Sequence, residues 1–342
     1  MSRVYLDHNA TTPLRQEARA AMIAAMNLSG NPSSVHSEGR AAKSLIETAR
    51  AEVAAAVGCE SAEVVFTSGA TEAASVLARF GSDSNIVVDP TAHDALWAQR
   101  RNGTGPRVWA TGLANGETGV MSEVPVTDGQ LLLLDLTQAV GRVPFSFAWS
   151  GADLAVLSAH KLGGPKGVGA LIIRDGIETP ALLAGGGQEM GRRSGTENII
   201  GIAGFAAAAT AAQRELSAGE WVRVAQLRNI LEEAIEAASP DTIFVGKGLP
   251  RLPNTSCFAT LGWKGETQVM ALDLAGFAIS AGSACSSGKV RESRVLRAMG
   301  YDAETASCAI RVSLGLQTTE AEIMAFAQAW SERRHRMRAR VA

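Results

Sequence analysis

Through most of this chain, short apolar runs alternate with amphipathic stretches, the pattern of strand–helix–strand units that builds a mostly parallel sheet. The runs predict strands at Val64–Phe66, Ile86–Val88, Val108–Ala110, Leu131–Leu134, Leu154–Leu157 and Ala170–Ile173. Helical periodicity fills Glu17–Met26, Arg40–Val57, Glu72–Phe80, Ile199–Leu216 and Glu220–Ala238. Then the texture changes. Short strands at Ile243–Val245, Ser256–Ala259 and Ile310–Val312 mix with helices, including a terminal one from Glu320. The chain has 342 residues, more than one core usually supports. The expected organisation is a large domain over 16–216 and a small α+β domain from 1–15 and 217–342.

Composition narrows the function classes. A net charge of −2 and a pI near 6.3 give no general pull toward nucleic acid or an anionic membrane surface. No apolar stretch is long enough to span a bilayer, and the first residues lack the apolar core of a signal peptide. Cys59, Cys257, Cys285 and Cys308 are too few and too scattered for a disulfide framework or a zinc cluster. No metal is expected, and a reducing cytoplasm is the expected compartment.

Three constellations carry chemistry. In the first, the apolar run Leu154–Leu157 leads into Ser158-Ala159-His160-Lys161 and then the Gly/Pro-rich turn Leu162–Gly167. Lys161 therefore sits just past a buried strand, where an α/β sheet opens its ligand crevice. Desolvation there lowers an amine toward neutrality and lets it form a Schiff base with a carbonyl such as pyridoxal phosphate. The plainer alternative is a surface turn with an ordinary lysine. In the second, Thr67-Ser68-Gly69-Ala70-Thr71-Glu72 follows a strand and opens a helix, an arrangement that binds phosphate, although the same letters also cap helices. In the third, Asp135 ends an apolar strand one strand–crossover–strand unit before Lys161. A buried carboxylate there needs a cationic partner, which a protonated pyridine nitrogen supplies.

Together with other motifs these segments resemble the class V aminotransferase family of pyridoxal-phosphate enzymes, and within it the cysteine desulfurases. The resemblance runs through Tyr5–Pro13, Asn31–His36, Thr67–Glu72, Asn115–Gly119, Asp135–Gln138 and Ser158–Lys161. It continues in Gly185–Glu189, Arg193–Asn198, Ser283–Ser287 and Arg311–Gly315, all in family order. It implies the type I (aspartate-aminotransferase-like) fold with pyridoxal 5'-phosphate as cofactor. Lys161 would bind the cofactor's aldehyde and later move the Cα proton. Asp135 would pair with the pyridine nitrogen, Gln138 with the ring hydroxyl, and His93 would stack on the ring and assist proton transfers. Ala70, Thr71, Ser158 and His160 would hold the phosphate, with Thr196 reaching across from a second copy in a homodimer. Asn115 and Arg311 would grip the substrate carboxylate, and Cys285 would be the nucleophile that takes sulfur from L-cysteine, leaving L-alanine. The sulfur would pass to an acceptor or iron–sulfur scaffold protein.

Plainer readings stand beside these. His93 could simply start a helix, Arg311 could belong to a structural ion pair, and Asn115-Gly116 is a turn dipeptide whatever the chemistry. Cys285 lies among small polar residues, unlike Cys257 and Cys308, whose neighbours are those of buried thiols. Two short intervals mark a trimmed member of the family: from His93 to Asn115, where the family usually has a further strand and helix, and from Gly119 to Leu131, which leaves little room for the usual helix. Also open are a selenocysteine lyase or aminotransferase of the same fold, and a non-catalytic subunit of a sulfur-transfer complex.

Overall fold

The structure, a computed structural model, describes residues 3–282 and 292–341. Two compact units make up the chain. One comprises Thr11–Leu113 and Glu123–Ala218, the other Met1–Ala10, Ala114–Ser122 and Gly219–Ala342. The segment Ala114–Ser122 thus leaves the large domain expected over 16–216, and residues 11–15 join it. The reason is pairing that local pattern does not reveal. Val120 bridges Arg251, and the Met121 amide donates to the Pro250 carbonyl, so this turn belongs to the smaller unit.

The larger unit is built on a 6-stranded sheet ordered Val64–Thr67, Gly169–Ile173, Leu154–Ser158, Leu131–Asp135, Arg107–Gly112 and Asn85–Val88. Gly169–Ile173 runs antiparallel to both neighbours and every other pair is parallel, so the remaining strands all point the same way. Both faces are apolar, as a sheet covered on two sides requires. On one face Val65, Leu133, Val156 and Leu171 pack with Ala73, Val76, Leu77 and Leu96. On the other, Phe66 meets Phe205 of the helix Ile199–Ser217 edge-on, with centroids 6.3 Å apart. That helix packs against Gln16–Ala25 and Ser37–Val57. Ser37–Val57 buries Ala42, Ile46, Ala49 and Val53, the three-to-four spacing of one helical stripe. It starts earlier than its apolar period because the His36 ring accepts from the Gly39 amide, and it stops at Gly58, whose φ of 73° is left-handed.

The helix expected at Glu72–Phe80 is two short ones, Ala70–Ala74 and Val76–Arg79. The Ser75 hydroxyl donates to the Glu72 carbonyl at 2.7 Å, the kind of local competition that bends a helix.

The smaller unit contains a 4-stranded antiparallel sheet, Ser280–Ala281, Ala309–Ser313, Thr255–Ala259 and Ile243–Phe244, and a parallel pair of Val4–Tyr5 with Phe277–Ala278. Its core gathers Phe258, Ile310 and Val312 from the sheet with Leu227, Leu231 and Trp330 from the helices Glu220–Ala238 and Glu320–Val341. Period-two alternation then fixes where Arg311 lies. Between Ile310 and Val312 it takes the opposite face, in register with Cys257. Among the described residues no helix is long and apolar enough to cross a membrane.

Candidate active site

In the larger unit, the chemistry-bearing residues follow the carboxyl ends of the co-directional strands. Thr67 precedes the loop to Glu72, Val88 precedes His93, Asp135 is the last residue of its strand, and Ser158 leads into Ala159–Lys161. Ligands of open α/β sheets bind outside these ends. The register confirms the alignment: Gly112 pairs with Asp135, Asp135 with Val156, and Gly169 lies between Thr67 and Ser158.

The loop after Thr67 is pinned to the Ser158 strand. The Ala70 amide donates to Ser158 Oγ at 2.8 Å, and the Ser68 amide to Glu72 Oε2 at 2.8 Å. Glycine is needed where the two chains touch. A Cβ on Gly169 would overlap the Leu157 carbonyl oxygen and sit 2.7 Å from Gly69 Cα. Gly69 itself has φ 156°, a conformation other residues rarely take. Thr71 is exposed at this loop.

Glu72 also holds the loop that carries Thr196. Arg193 Nε donates to Glu72 Oε1 at 2.8 Å. Burial raises the Glu72 carboxyl, but the Arg193 and Ser68 hydrogen bonds outweigh it and hold the group below its ordinary range. A second anchor is buried. Arg50 donates to both oxygens of Glu189, at 2.7 and 2.9 Å, and Glu189 Oε2 also accepts from the Phe66 amide. Glu189 and Met190 hold left-handed φ values of 50° and 59°, strain that this pairing maintains. Thr196 is exposed.

Lys161 ends a single 3-10 turn, and its carbonyl accepts from Thr12 Oγ1 at 2.8 Å and Arg142 Nη2 at 3.0 Å. Beside it, the His160 ring lies 3.2 Å from Thr11 Oγ1. Burial, then the positive charges of Lys161 and Lys166, push the His160 pKa down to about 4, so this ring is neutral near pH 7. Asp135 Oδ1 accepts from the Thr137 amide at 2.8 Å, which fixes the carboxylate at the strand end. Gln138 is buried, and its Oε1 accepts from Arg142 Nη1. His93 is the N-cap of Asp94–Trp97. Its Nδ1 accepts from the Ala95 amide at 3.1 Å, which puts the proton of the neutral ring on Nε2.

In the smaller unit Arg311 is buried and engaged. Its Nη2 pairs with Asp7 Oδ1 at 2.7 Å, its Nη1 donates to the Gly116 carbonyl at 3.0 Å, and its Nε is buried with no partner. Asp7 also accepts from Ser280 Oγ at 2.8 Å. Asn115 Oδ1 accepts from the amides of Glu117 and Thr118, both at 2.9 Å, so that oxygen is committed to shaping the turn. The plainer reading of Arg311, an ion pair, is present with Asp7, a partner that sequence reasoning did not name, and Arg142 was missed. Asp7 stood in a quoted motif, but nothing local says which strand it meets.

The described cysteines are poor nucleophiles. Cys257 and Cys308 are buried. Burial, with Glu117 nearby, raises the Cys257 thiol, and burial with Glu63 and Glu60 pushes Cys59 up to about 12. Cys285 lies outside the described residues.

The mostly parallel sheet of the larger unit thus presents a lysine, a carboxylate and a small-residue loop at its strand ends. The family model "Aminotransferase class-V" matches residues 4–123 and 105–326, and the chain belongs to that family. A cysteine desulfurase of Cereibacter sphaeroides is 41% identical over 94% of this chain and 93% of its own. One of Klebsiella pneumoniae is 37% identical over 94% of this chain and 90% of its own. Among solved structures, a NifS-like protein from Rickettsia africae ESF-5 superposes with a TM-score of 0.88 at 31% identity, over 96% of this chain and 99% of that one. Enzymes of this family use pyridoxal 5'-phosphate, and the donor set fits it. A carboxylate could serve the ring nitrogen, an amine the aldehyde, and the small-residue loop beside Ser158 and a neutral His160 the phosphate.

Proposed function

We propose that this chain is a cysteine desulfurase that converts L-cysteine to L-alanine and takes the sulfur onto Cys285 as a persulfide. The observation that carries the reading is the gathering of Asp135, Ser158, His160 and Lys161 with the Thr67–Glu72 segment at the carboxyl end of one sheet. The 41% identity to a desulfurase along nearly the whole chain selects cysteine among possible amino-acid substrates.

When bound, pyridoxal phosphate supplies an electron sink at the substrate's Cα. The protein's part divides as follows. Asp135 would hold the proton on the ring nitrogen and Gln138 would donate to the ring oxygen. Ala70, Thr71, Ser158 and His160 would bind the phosphate, with Thr196 of a second copy. Lys161 would anchor the cofactor and carry the Cα proton, His93 would lie beside the ring and assist that transfer, and Arg311 with Asn115 would orient the substrate carboxylate. The Cys285 thiolate attacks the substrate sulfur. A sulfur–sulfur bond forms as the Cβ–S bond breaks, and the carbon, once protonated, leaves as alanine. The buried or high-pKa settings of Cys59, Cys257 and Cys308 support Cys285 in this role.

A homodimer suits the exposure of Thr196 and of Ile23, Met26 and Val35 on the N-terminal stretch of the larger unit. The persulfide would pass to an acceptor or scaffold protein of iron–sulfur or thio-cofactor assembly, in a cytoplasm reducing enough to keep these thiols free.

The test uses the purified protein loaded with pyridoxal phosphate. L-cysteine should change the visible absorbance band and release alanine, with sulfide in equal amount under a thiol reductant. Mass spectrometry should find one added sulfur on the Cys285 peptide, and Cys285→Ser should keep the band but release little alanine. Added sulfur on Cys257 or Cys308, or parent-rate alanine release by the variant, would overturn the assignment.

A further inference from the structure

We infer that Arg142 is a positioning residue that fixes which end of the Gln138 amide faces the cofactor, an inference that rests on the pyridoxal-phosphate reading of this site. The turn after Asp135 brings the two together. Gly141, with φ 74°, reverses the chain, and Arg142 Nη1 reaches back to both the backbone oxygen of Gln138 at 3.5 Å and its Oε1 at 2.5 Å. Arg142 and Gln138 are both buried.

The chemistry then decides the orientation. A guanidinium offers only N–H donors, so the amide end turned toward it must be the oxygen, and Nε2 is presented the other way. Gln138 is thereby a donor toward a ring oxygen, never an acceptor. Without Arg142 nothing in this pair distinguishes the two amide orientations, and one of them sets oxygen against oxygen. The other half of the fork matters too. Nη2 donates to the Lys161 carbonyl at 3.0 Å, so one buried cation ties the glutamine to the backbone of the reactive lysine. Neither contact touches the reacting atoms, so Arg142 acts through Gln138 and Lys161.

The test compares parent, Gln138→Ala, Arg142→Met, Arg142→Lys and the Gln138→Ala/Arg142→Met double variant. Each apoprotein is titrated with pyridoxal 5'-phosphate, and the visible band of each loaded protein is followed against pH. Each single loss should weaken cofactor binding about fivefold to tenfold, the range of one hydrogen bond. The double variant should fall well short of the product of the two, because both remove one interaction. A donor draws charge off the ring oxygen, and its loss leaves that oxygen a better acceptor for a neighbouring proton. The midpoint of the band should therefore move upward in Gln138→Ala and Arg142→Met alike, and by less in Arg142→Lys, which keeps one donor and the charge. Should Arg142→Met not fold, Arg142→Lys supplies the same comparison. Parent affinity and midpoint in the folded Arg142 variants, or effects that multiply fully in the double variant, would refute the inference. A parent apoprotein that takes up no cofactor would instead refute the reading on which it rests.

Discussion

His160 gives the site a measurable pH signature before any substrate is added. Burial and the charges of Lys161 and Lys166 lower its pKa from 6.5 to about 4 in the folded protein. Between these values the unfolded chain holds a proton that the folded chain refuses. Stability from the neutral ring is therefore complete above about pH 6.5 and is lost as acid takes the pH down toward 4. A full shift of this size would be worth several kcal/mol at 1.36 kcal/mol per unit, but the ring is partly exposed and solvent screens it, leaving about 1–2 kcal/mol. The assay is urea denaturation of the apoprotein at about pH 7 and about pH 4.5, with His160→Gln as control, since glutamine can still bond Thr11 but cannot titrate. Other carboxylates titrate in both proteins, so the difference between the two pH losses isolates His160. The parent should lose about 1–2 kcal/mol more than the variant. Inorganic phosphate should reduce that gap, because an anion beside the ring restores its affinity for a proton. Equal acid losses in the two proteins would refute the argument.

Three further outcomes can be checked. Lys161→Ala should abolish the visible band of bound cofactor and turnover while changing apoprotein stability by about 0.5 kcal/mol or less in urea melts, since a strand-end lysine leaves no core cavity. Glu189→Ala should cost about 2–3 kcal/mol in the same melts by leaving the buried Arg50 guanidinium only the half-exposed Glu47 carboxylate and the Val64 carbonyl, and Arg50→Met combined with Glu189→Met should recover much of it. Gly169→Ala should weaken cofactor uptake at least tenfold by spectral titration, about 1.4 kcal/mol, because a methyl against Gly69 and Leu157 pushes on backbone that cannot rotate away.

The fold was legible where it rests on local periodicity and illegible where it rests on distant partners. Every apolar run read as a strand between Val64 and Ile173 lies in the large sheet, because alternation and strand length are written in consecutive residues. The break at Ser75 was not foreseen, since a serine mid-helix is tolerated when its hydroxyl points elsewhere. The transfer of Ala114–Ser122 to the smaller unit depends on Pro250 and Arg251, far along the chain. The candidate site follows the same division. Strand-end motifs were enough to place Asp135, Ser158 and Lys161 at one edge of the sheet, because co-directional strands end on the same side. The buried arginines Arg50 and Arg142 carry no local mark. A lone arginine in a sequence reads as a solvated cation until its partners, Glu189 in one case and Gln138 with Lys161 in the other, are seen in space.

Short connections suffice to place the chemical groups at the sheet's end. Between Val88 and Arg107 the crossover retains one helical turn, Asp94–Trp97, which still buries Leu96 against the sheet, and Arg101 bridges back to Ile86. Between Gly112 and Leu131 no helix covers the sheet, and Val126 on this path is 91% exposed. Yet Leu131–Asp135 pairs along its whole length with Val108–Gly112, and Leu133–Asp135 pairs with Leu154–Val156. The height of Asp135 at the sheet's end is set by that register, and the path by which the chain arrives does not enter. A deletion in a crossover removes cover from a face; a one-residue slip in register would turn Asp135 to the other side of the sheet.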